Sequence, residues 1–158
     1  MIRVAIFVDI HNVYYTMREA YGKHFDYRRF WAGVTANREM LTAYCYAIDK
    51  GDSKQRGFQN MLRPIGFEVK LKPFIQRADG SAKVDWDVGI TLNVIEYAAR
   101  ADVVVLVSGD EDFDLLAQKI REVHGKRVEV YGVPKLTAHS LINAASQFIP
   151  IEGDLLLG

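Results

Sequence analysis

The sequence predicts an α/β fold in which helices cover both faces of a mostly parallel central sheet, within a single domain over residues 1–158. Apolar runs of strand length alternate along the chain with segments whose apolar residues recur at helical spacing. The length of 158 residues lies close to the commonest domain size. With 49% hydrophobic and 25% charged residues, the composition is that of a globular chain with a substantial core.

In the first half of the chain, three strands and three helices are predicted in alternation. Residues 3–10 and 40–48 are apolar runs, whereas residues 67–72 alternate apolar with charged side chains, which is typical of a half-exposed strand. Pro73 then indicates an edge position, because proline has no N–H for a ladder bond. Typical capping and stop residues bound the helices between these strands: Asn12 and Gly22, Asp26, and Asp52 with Gly66.

In the second half, the run Val103–Val107 predicts the most deeply buried strand. A helix over residues 85–100 precedes it. The helix that follows ends at Gly125 and places these residues on one face: Phe113, Leu116, Ala117, Ile120 and Val123. A strand at residues 128–133, a helix at 137–145 and an edge strand at 148–151 complete the prediction.

Several classes of protein are excluded or disfavoured by the residues. A lone cysteine, Cys45, allows neither an internal disulfide nor a paired-cysteine zinc motif. Glycine-rich phosphate loops and a nucleophile elbow do not occur. The longest apolar run is too short to span a bilayer, and no signal-peptide pattern opens the chain. We therefore expect a cytoplasmic protein without a membrane partner.

Charge is distributed unevenly although its sum is zero. Residues 50–83 carry eight basic and three acidic side chains, a net charge of +5. Residues 84–158 carry six basic and twelve acidic side chains, a net charge of −6. This asymmetry has two interpretations: one region contacts phosphate while the other binds a cation, or both are solvated faces.

Carboxylates cluster where two predicted strands end. Asp9 ends the first strand, and Asp110 and Asp112 follow the strand at 103–107. Asp85 and Asp87 open the helix before that strand. If the two strands are neighbours, these carboxylates converge and repel one another unless a cation neutralises them. Carboxylate oxygens suit Mg²⁺ or Mn²⁺ better than zinc.

Helix capping is the alternative role for each of these polar residues. Asp110 or Asp112 would cap the helix after the buried strand, Ser108 would serve the same helix, and Asn12 would cap the first one. The turn that holds Asp110 also contains Glu111, Asp112 and Asp114, which is more negative charge than capping needs.

Three motifs occur in a fixed order: Asp9-x-x-Asn12, Lys83-x-x-x-Asp87-Val88, and Ser108-Gly109-Asp110-x-Asp112-Phe113. With this order, residues 3–152 resemble the NYN domain family, in its LabA-like branch of PIN-like domains. The resemblance implies a three-layer αβα fold, a metal-dependent ribonuclease centre and RNA as the partner.

Roles for individual residues follow from the resemblance. It implies that Asp9, Asp87, Asp110 and Asp112 hold the metal, with Asp9, Asn12 and Asp110 as the catalytic set. Asn12 would orient a water or phosphate, Ser108 would shape the turn, and Lys83 would contact phosphate. Two departures are visible. Lys83 lies four residues before Asp87, one more than is usual, which makes Asp85 a second candidate ligand. Asn93 replaces an aspartate of many relatives, and Asp114 is a further acidic neighbour.

The predicted reaction is hydrolysis of RNA phosphodiester bonds with one or two Mg²⁺ or Mn²⁺ ions. Phosphate contacts are expected from the basic region: Lys70, Lys72, Arg77 and Lys83. Trp31 and Trp86 either stack on bases or belong to the core.

Two other functions stay open. One is a non-catalytic RNA- or protein-binding adaptor on the same fold. The other is a haloacid-dehalogenase-like phosphatase, which Gly109-Asp110-x-x-x-Asp114 favours and the single aspartate of Asp9-Ile10-His11 disfavours. The apolar tail Leu155–Leu157 docks either on a partner copy, in a homodimer, or on its own core.

Overall fold

The computed structural model describes residues 1–80 and 85–158, together with the backbone of residues 82–83. Its strands are β1 (Ile2–Asp9), β2 (His24–Phe25), β3 (Arg38–Asp49), β4 (Glu68–Pro73), β5 (Ile75–Gln76), β6 (Ala82–Lys83), β7 (Val103–Val107), β8 (Arg127–Gly132), β9 (Gln147–Pro150) and β10 (Leu156–Leu157). Its α-helices are α1 (Ile10–Tyr21), α2 (Tyr27–Thr35), α3 (Ser53–Ile65), α4 (Asp87–Ala98), α5 (Asp114–Glu122) and α6 (His139–Ala144). Single 3₁₀ turns cover Glu111–Phe113, Pro134–Leu136 and Gly153–Leu155.

The main sheet has six strands in the order β4-β3-β1-β7-β8-β9, and every adjacent pair is parallel. This confirms the predicted α/β class. From β1 the chain builds outward through β3 and β4 on one side, then returns to build β7, β8 and β9 on the other. The order therefore reverses between β1 and β7, and such a switch point opens a crevice at the carboxyl ends of the strands.

Helices cover both faces of the sheet and give three layers. Alternate residues of β1 face opposite sides, since side chains alternate along a strand. Val4, Ile6 and Val8 pack with residues of α1–α3, including Met17, Phe30 and Leu62. Ala5 and Phe7 pack with residues of α4–α6, including Ile90, Ile120 and Leu141. Burial on both faces explains why the central strands are almost wholly apolar.

Helix boundaries in the first half largely follow the local signals. Asp26 caps α2 and Asp52 caps α3, each accepting a hydrogen bond from the backbone N–H three residues on. α1 ends at Gly22, whose φ of 63° is left-handed and favours glycine. These three assignments agree with the prediction.

Other boundaries differ from the prediction. A short antiparallel pair, β5 and β6, flanks the polar turn at residues 77–80. The predicted helix at 137–145 shortens to α6, because the backbone is extended at Thr137 and Ala138 before it and at Ala145 after it. Val123 was expected on the buried face but lies beyond the end of α5 and is exposed.

The C-terminal tail docks on the chain itself. β10 pairs with β2, and Leu155 and Leu156 pack against the α1–α3 side of the core. Of the two docking sites considered for this apolar segment, a partner copy and the chain's own core, the structure shows docking on the chain's own core. Across the described ranges, no helix is long and apolar enough to cross a membrane.

Candidate metal centre

Asp9 is the last residue of β1 and the N-cap of α1. One carboxylate oxygen accepts a hydrogen bond from the backbone N–H of Asn12 (3.3 Å), and the other accepts one from the hydroxyl of Ser108 (3.1 Å). Only 6% of Asp9 is exposed, and this burial is the main reason why its pKa rises to about 6. The interpretation of Asn12 as the cap of α1 is therefore wrong, because Asp9 reaches the free N–H groups first.

Ser108 and Asn12 instead connect β1 and α1 to the loop after β7. Ser108 is fully buried, donates to Asp9 and accepts a hydrogen bond from the backbone N–H of Asp110 (3.2 Å). Asn12 accepts a hydrogen bond from the backbone N–H of Gly109 (2.9 Å). A Cβ at Gly109 would lie 2.6 Å from the carbonyl oxygen of Leu136, so only glycine fits this loop.

Asp110, not Ser108, caps the turn that follows. Its carboxylate accepts a hydrogen bond from the backbone N–H of Asp112 (2.9 Å) at the start of the 3₁₀ turn. The cap expected from Ser108 is thus wrong, because its hydroxyl is already engaged with Asp9. One oxygen of Asp110 is occupied by capping, and the carboxylate is half-buried beside the crevice.

Three carboxylates come together at the switch point between β1 and β7. Asp87, Asp110 and Asp112 each offer an oxygen, and these oxygens lie within 4.8 Å of one another. Asp87 begins α4, whereas the other two follow β7. An all-carboxylate set of this kind fits a hard divalent cation such as Mg²⁺ or Mn²⁺ and lacks the nitrogen and sulfur donors typical of zinc.

The electrostatics of the cluster favour a cation. The pKa of Asp87 rises to about 8, mainly through burial and then through the charge of Asp110 and a hydrogen bond with Asp112. Asp9 and Asp85 raise it further. Without a cation, at least one carboxyl of this group therefore holds a proton near neutral pH. A bound divalent ion would remove the repulsion that raises the pKa.

Asp9 lies beside this cluster rather than within it. The charge of Asp110 contributes to its raised pKa, so the two carboxylates interact. Both oxygens of Asp9 already accept hydrogen bonds from protein groups. Of the four metal ligands that the resemblance implies, the structure brings side-chain oxygens of three within 4.8 Å of one another and leaves the fourth, Asp9, outside this group.

The three alternative ligands lie outside the cluster. Asp85 is exposed and precedes α4, and its carboxylate accepts a hydrogen bond from the backbone N–H of Asp87 (3.2 Å). The prediction that a helix contains both residues is therefore wrong. Asn93 accepts a hydrogen bond from the hydroxyl of Tyr46 (2.8 Å). Asp114 accepts one from the backbone N–H of Leu115.

Two lysines of β4 lie over aromatic rings. Lys70 lies 4.4 Å from the ring centre of Tyr44 and also pairs with Glu68. Lys72 lies 4.8 Å from the ring centre of Trp86, the residue before Asp87. Arg77 is exposed in the turn, and the side chain of Lys83 lies outside the described residues.

Sequence analysis did not predict two sets of contacts, those of Lys50 and those of Trp86. Lys50 lies over the ring of Phe74 at 5.3 Å. Burial, and then the charge of Lys50, lower the pKa of His11. Of the two roles considered for Trp86, base stacking and a core position, the structure shows packing against the core, and its side chain contacts β3, β4 and α4. The sequence signal that could have indicated these Trp86 contacts is a tryptophan between two aspartates at the start of a helix.

A cleft of about 250 Å³ opens directly beside the cluster. Asp87 and Asp112 form its acidic end, and Val88 and Leu92 form an apolar wall with Thr91. Val88 and Leu92 are 73% and 62% exposed, respectively. Two members of the cluster, Asp87 and Asp112, therefore line a cleft that is open to solvent.

Comparison with known proteins agrees with this architecture. The model of the NYN domain family matches residues 3–152. The protein described as "Low amplitude and bright protein LabA", from Synechococcus elongatus, is 30% identical over a 159-residue alignment that covers 95% of this chain and 84% of LabA. The crystal structure of VPA0982, a protein of unknown function from Vibrio parahaemolyticus, superposes with a TM-score of 0.94 at 55% identity, covering 98% of this chain and 96% of that one. The motif order, the parallel sheet and these matches agree, and the chain belongs to the NYN domain family.

Proposed function

We propose that this protein is a ribonuclease that hydrolyses RNA phosphodiester bonds with Mg²⁺ or Mn²⁺ held by Asp87, Asp110 and Asp112. The observation that carries the proposal is the convergence of three carboxylates, whose oxygens lie within 4.8 Å of one another and whose mutual repulsion a cation would remove. A bound divalent ion supplies Lewis-acid chemistry, since it stabilises charge on phosphate and lowers the pKa of water.

Residues behind the cluster hold it in shape. Asp9 accepts hydrogen bonds from α1 and from Ser108, and Asn12 holds the N–H of Gly109. These contacts fix the loop that carries Asp110 relative to β1. Because the pKa of Asp9 is about 6, its carboxylate is ionised above neutral pH and adds negative charge to the centre. Asp9, Asn12 and Asp110 are thus the residues that we assign to catalysis.

We assign phosphate binding to basic side chains of β4 and of the turn after it. Lys70 and Lys72 are held over aromatic rings, and Arg77 is exposed nearby in sequence. We assign these residues, with Lys83, to the RNA backbone. The metal-free carboxylate cluster repels phosphate, so the cation is also needed for productive RNA binding.

We also propose a cytoplasmic location. Cys45 is a free buried thiol, which is compatible with a reducing compartment.

One experiment tests the activity directly. Purified protein is incubated with a mixture of single-stranded and structured RNA, with Mn²⁺ or with a chelator. Asp110→Asn serves as the inactive variant, and Asp114→Asn is its matched control, because Asp114 lies in the same acidic turn but outside the cluster. We expect Mn²⁺-dependent cleavage by the wild type and by Asp114→Asn, and none by Asp110→Asn.

Other outcomes point to other functions. RNA binding without cleavage in Mn²⁺ would favour the adaptor. Equal cleavage by Asp110→Asn and the wild type would reject the assigned centre.

A further inference from the structure

We propose that Trp86 is a positioning residue that fixes Asp87 of the acidic cluster and the ammonium of Lys72 relative to each other. The proposal concerns how the site is built. Its metal-binding part stands on its own readout, whereas its RNA-binding part rests on the ribonuclease function proposed above.

The first contact ties the start of α4 to β3. The indole N–H of Trp86 donates a hydrogen bond to the backbone carbonyl of Ala47 (2.8 Å). Its ring packs on Tyr46, with 5.2 Å between the ring centres. Both partners belong to β3, the strand next to β1, so the residue before Asp87 is anchored to the sheet by a polar and an apolar contact.

The second contact holds the first turn of α4 itself. A Cβ at Gly89 would lie 2.6 Å from one ring carbon of Trp86 and 2.9 Å from the next. The indole therefore rests on bare backbone two residues after Asp87, where no larger residue fits. The side chain of Trp86 makes no capping bond, whereas Asp85 accepts a hydrogen bond from the N–H of Asp87, so ring packing adds to a polar contact at this helix start.

The third contact is between the Trp86 ring and a cation. Lys72 lies 4.8 Å from the ring centre of Trp86 and forms no ion pair within the described part of the chain. The π face of an indole attracts an ammonium without neutralising it. Lys72 is thereby held on the residue that precedes Asp87, with its charge available to a phosphate. One side chain thus sets the positions of a metal-binding acid and a phosphate-binding base.

Two glycine variants provide a matched test. Gly89→Ala displaces the Trp86 ring without removing any polar group. Gly57→Ala makes the same change in α3, where a Cβ meets nothing within 4 Å. We expect Gly89→Ala to weaken Mn²⁺ binding, measured by isothermal titration calorimetry, by roughly ten-fold or more, as for residues that orient metal ligands. Gly57→Ala is expected to leave Mn²⁺ affinity unchanged.

Substitutions of Trp86 and Lys72 separate the two tasks. Trp86→Leu is expected to weaken Mn²⁺ binding and to raise the KM for RNA, because it removes both the N–H and the ring. Trp86→Phe keeps an aromatic face for Lys72, so its KM is expected to recover while its Mn²⁺ affinity stays low. Lys72→Met is expected to raise KM only. Circular dichroism verifies that each variant is folded. If Gly89→Ala is not folded, the Mn²⁺ affinity of Trp86→Phe replaces it in the comparison.

The two tryptophans also allow an optical readout, since Trp31→Phe leaves Trp86 as the only one. Mn²⁺ is expected to quench the emission of this variant and to leave that of Trp86→Phe unchanged.

Mn²⁺ affinities that are the same in the wild type, Gly89→Ala and Trp86→Leu would overturn the proposal. If the wild type binds Mn²⁺ but does not cleave RNA, the ribonuclease function fails, and the Mn²⁺ titrations alone decide the role of Trp86.

Discussion

The side-chain oxygen of Asn12 accepts a hydrogen bond from the backbone N–H of Gly109 at 2.9 Å, across 97 residues of sequence. This bond joins the first turn of α1 to the loop that carries Asp110. The hydrogen bond that Ser108 donates to Asp9 connects the same two segments. Together they fix the ends of β1 and β7, where the carboxylates meet.

Removal of the Asn12 side chain is expected to loosen this connection. Asn12→Ala leaves the N–H of Gly109 without its acceptor, which should lower the free energy of unfolding by about 1–3 kcal/mol. Asn12→Asp retains an acceptor and is the matched control for the loop. Urea denaturation in the presence of a chelator measures the difference. Equal stability of Asn12→Ala and the wild type would show that the bond does not hold the loop.

Asp87 and Asp85 are expected to differ sharply in their contribution to activity. Asp87→Asn removes a charge from the cluster and should reduce Mn²⁺-dependent RNA cleavage by on the order of 10² or more. Asp85→Asn should cost far less, since Asp85 is exposed and only accepts a bond from the N–H of Asp87. Cleavage rates at saturating Mn²⁺ compare the two, and a reversed order would reassign the ligand.

The stability of the metal-free protein is expected to fall as the pH rises toward 8. The pKa values of Asp9 and Asp87 are raised to about 6 and about 8, so the folded chain binds more protons than the unfolded chain from about pH 4 upward. The excess of bound protons makes the free energy of unfolding decrease with pH in this window.

Urea denaturation at pH 5 and pH 8 with a chelator measures this slope. Asp87→Asn is expected to flatten the slope between pH 6 and 8, and Asp114→Asn is expected to retain it. A wild-type slope that Asp87→Asn leaves unchanged would contradict the pKa of this carboxyl.

Divalent cations are expected to raise the melting temperature, because they bind the folded state alone. The gain should be larger at pH 8 than at pH 6, since protons compete for Asp87 as the pH falls below its pKa of about 8. Thermal denaturation with millimolar Mn²⁺ or Mg²⁺ at the two pH values tests this. A melting temperature that Mn²⁺ does not change would argue against a metal at this site.

Asp9→Asn is expected to separate activity from stability. The amide keeps the shape of the carboxylate but avoids the desolvation that raises the pKa of Asp9, so the variant should be more stable than the wild type at pH 8. Its RNA cleavage should be lost. Denaturation and cleavage assays on the same preparation compare the two effects. An aspartyl-phosphate trapped on Asp9 of the wild type would instead indicate the phosphatase mechanism.

Local sequence patterns determined the elements and the class of fold. Runs such as Val103–Val107 are apolar throughout because both faces of a central parallel strand are buried. Asp26 and Asp52 begin helices because a short acceptor can reach the free N–H groups within one turn, and Gly22 ends one because its φ is positive. Each of these signals acts over a few residues, so it can be recognised without knowledge of the fold.

Tertiary structure decided which polar groups meet. The motif Asp9-x-x-Asn12 permits either residue to cap α1, and only the pairing of β1 with β7 brings Ser108 and Gly109 to these side chains. Likewise, Trp86, the residue before α4, is hydrogen-bonded to Ala47 of β3, which is 39 residues away in sequence. The sequence alone therefore determined the elements and the candidate acids. Strand order and long-range packing selected the three carboxylates that converge, because no local preference encodes a contact between distant segments.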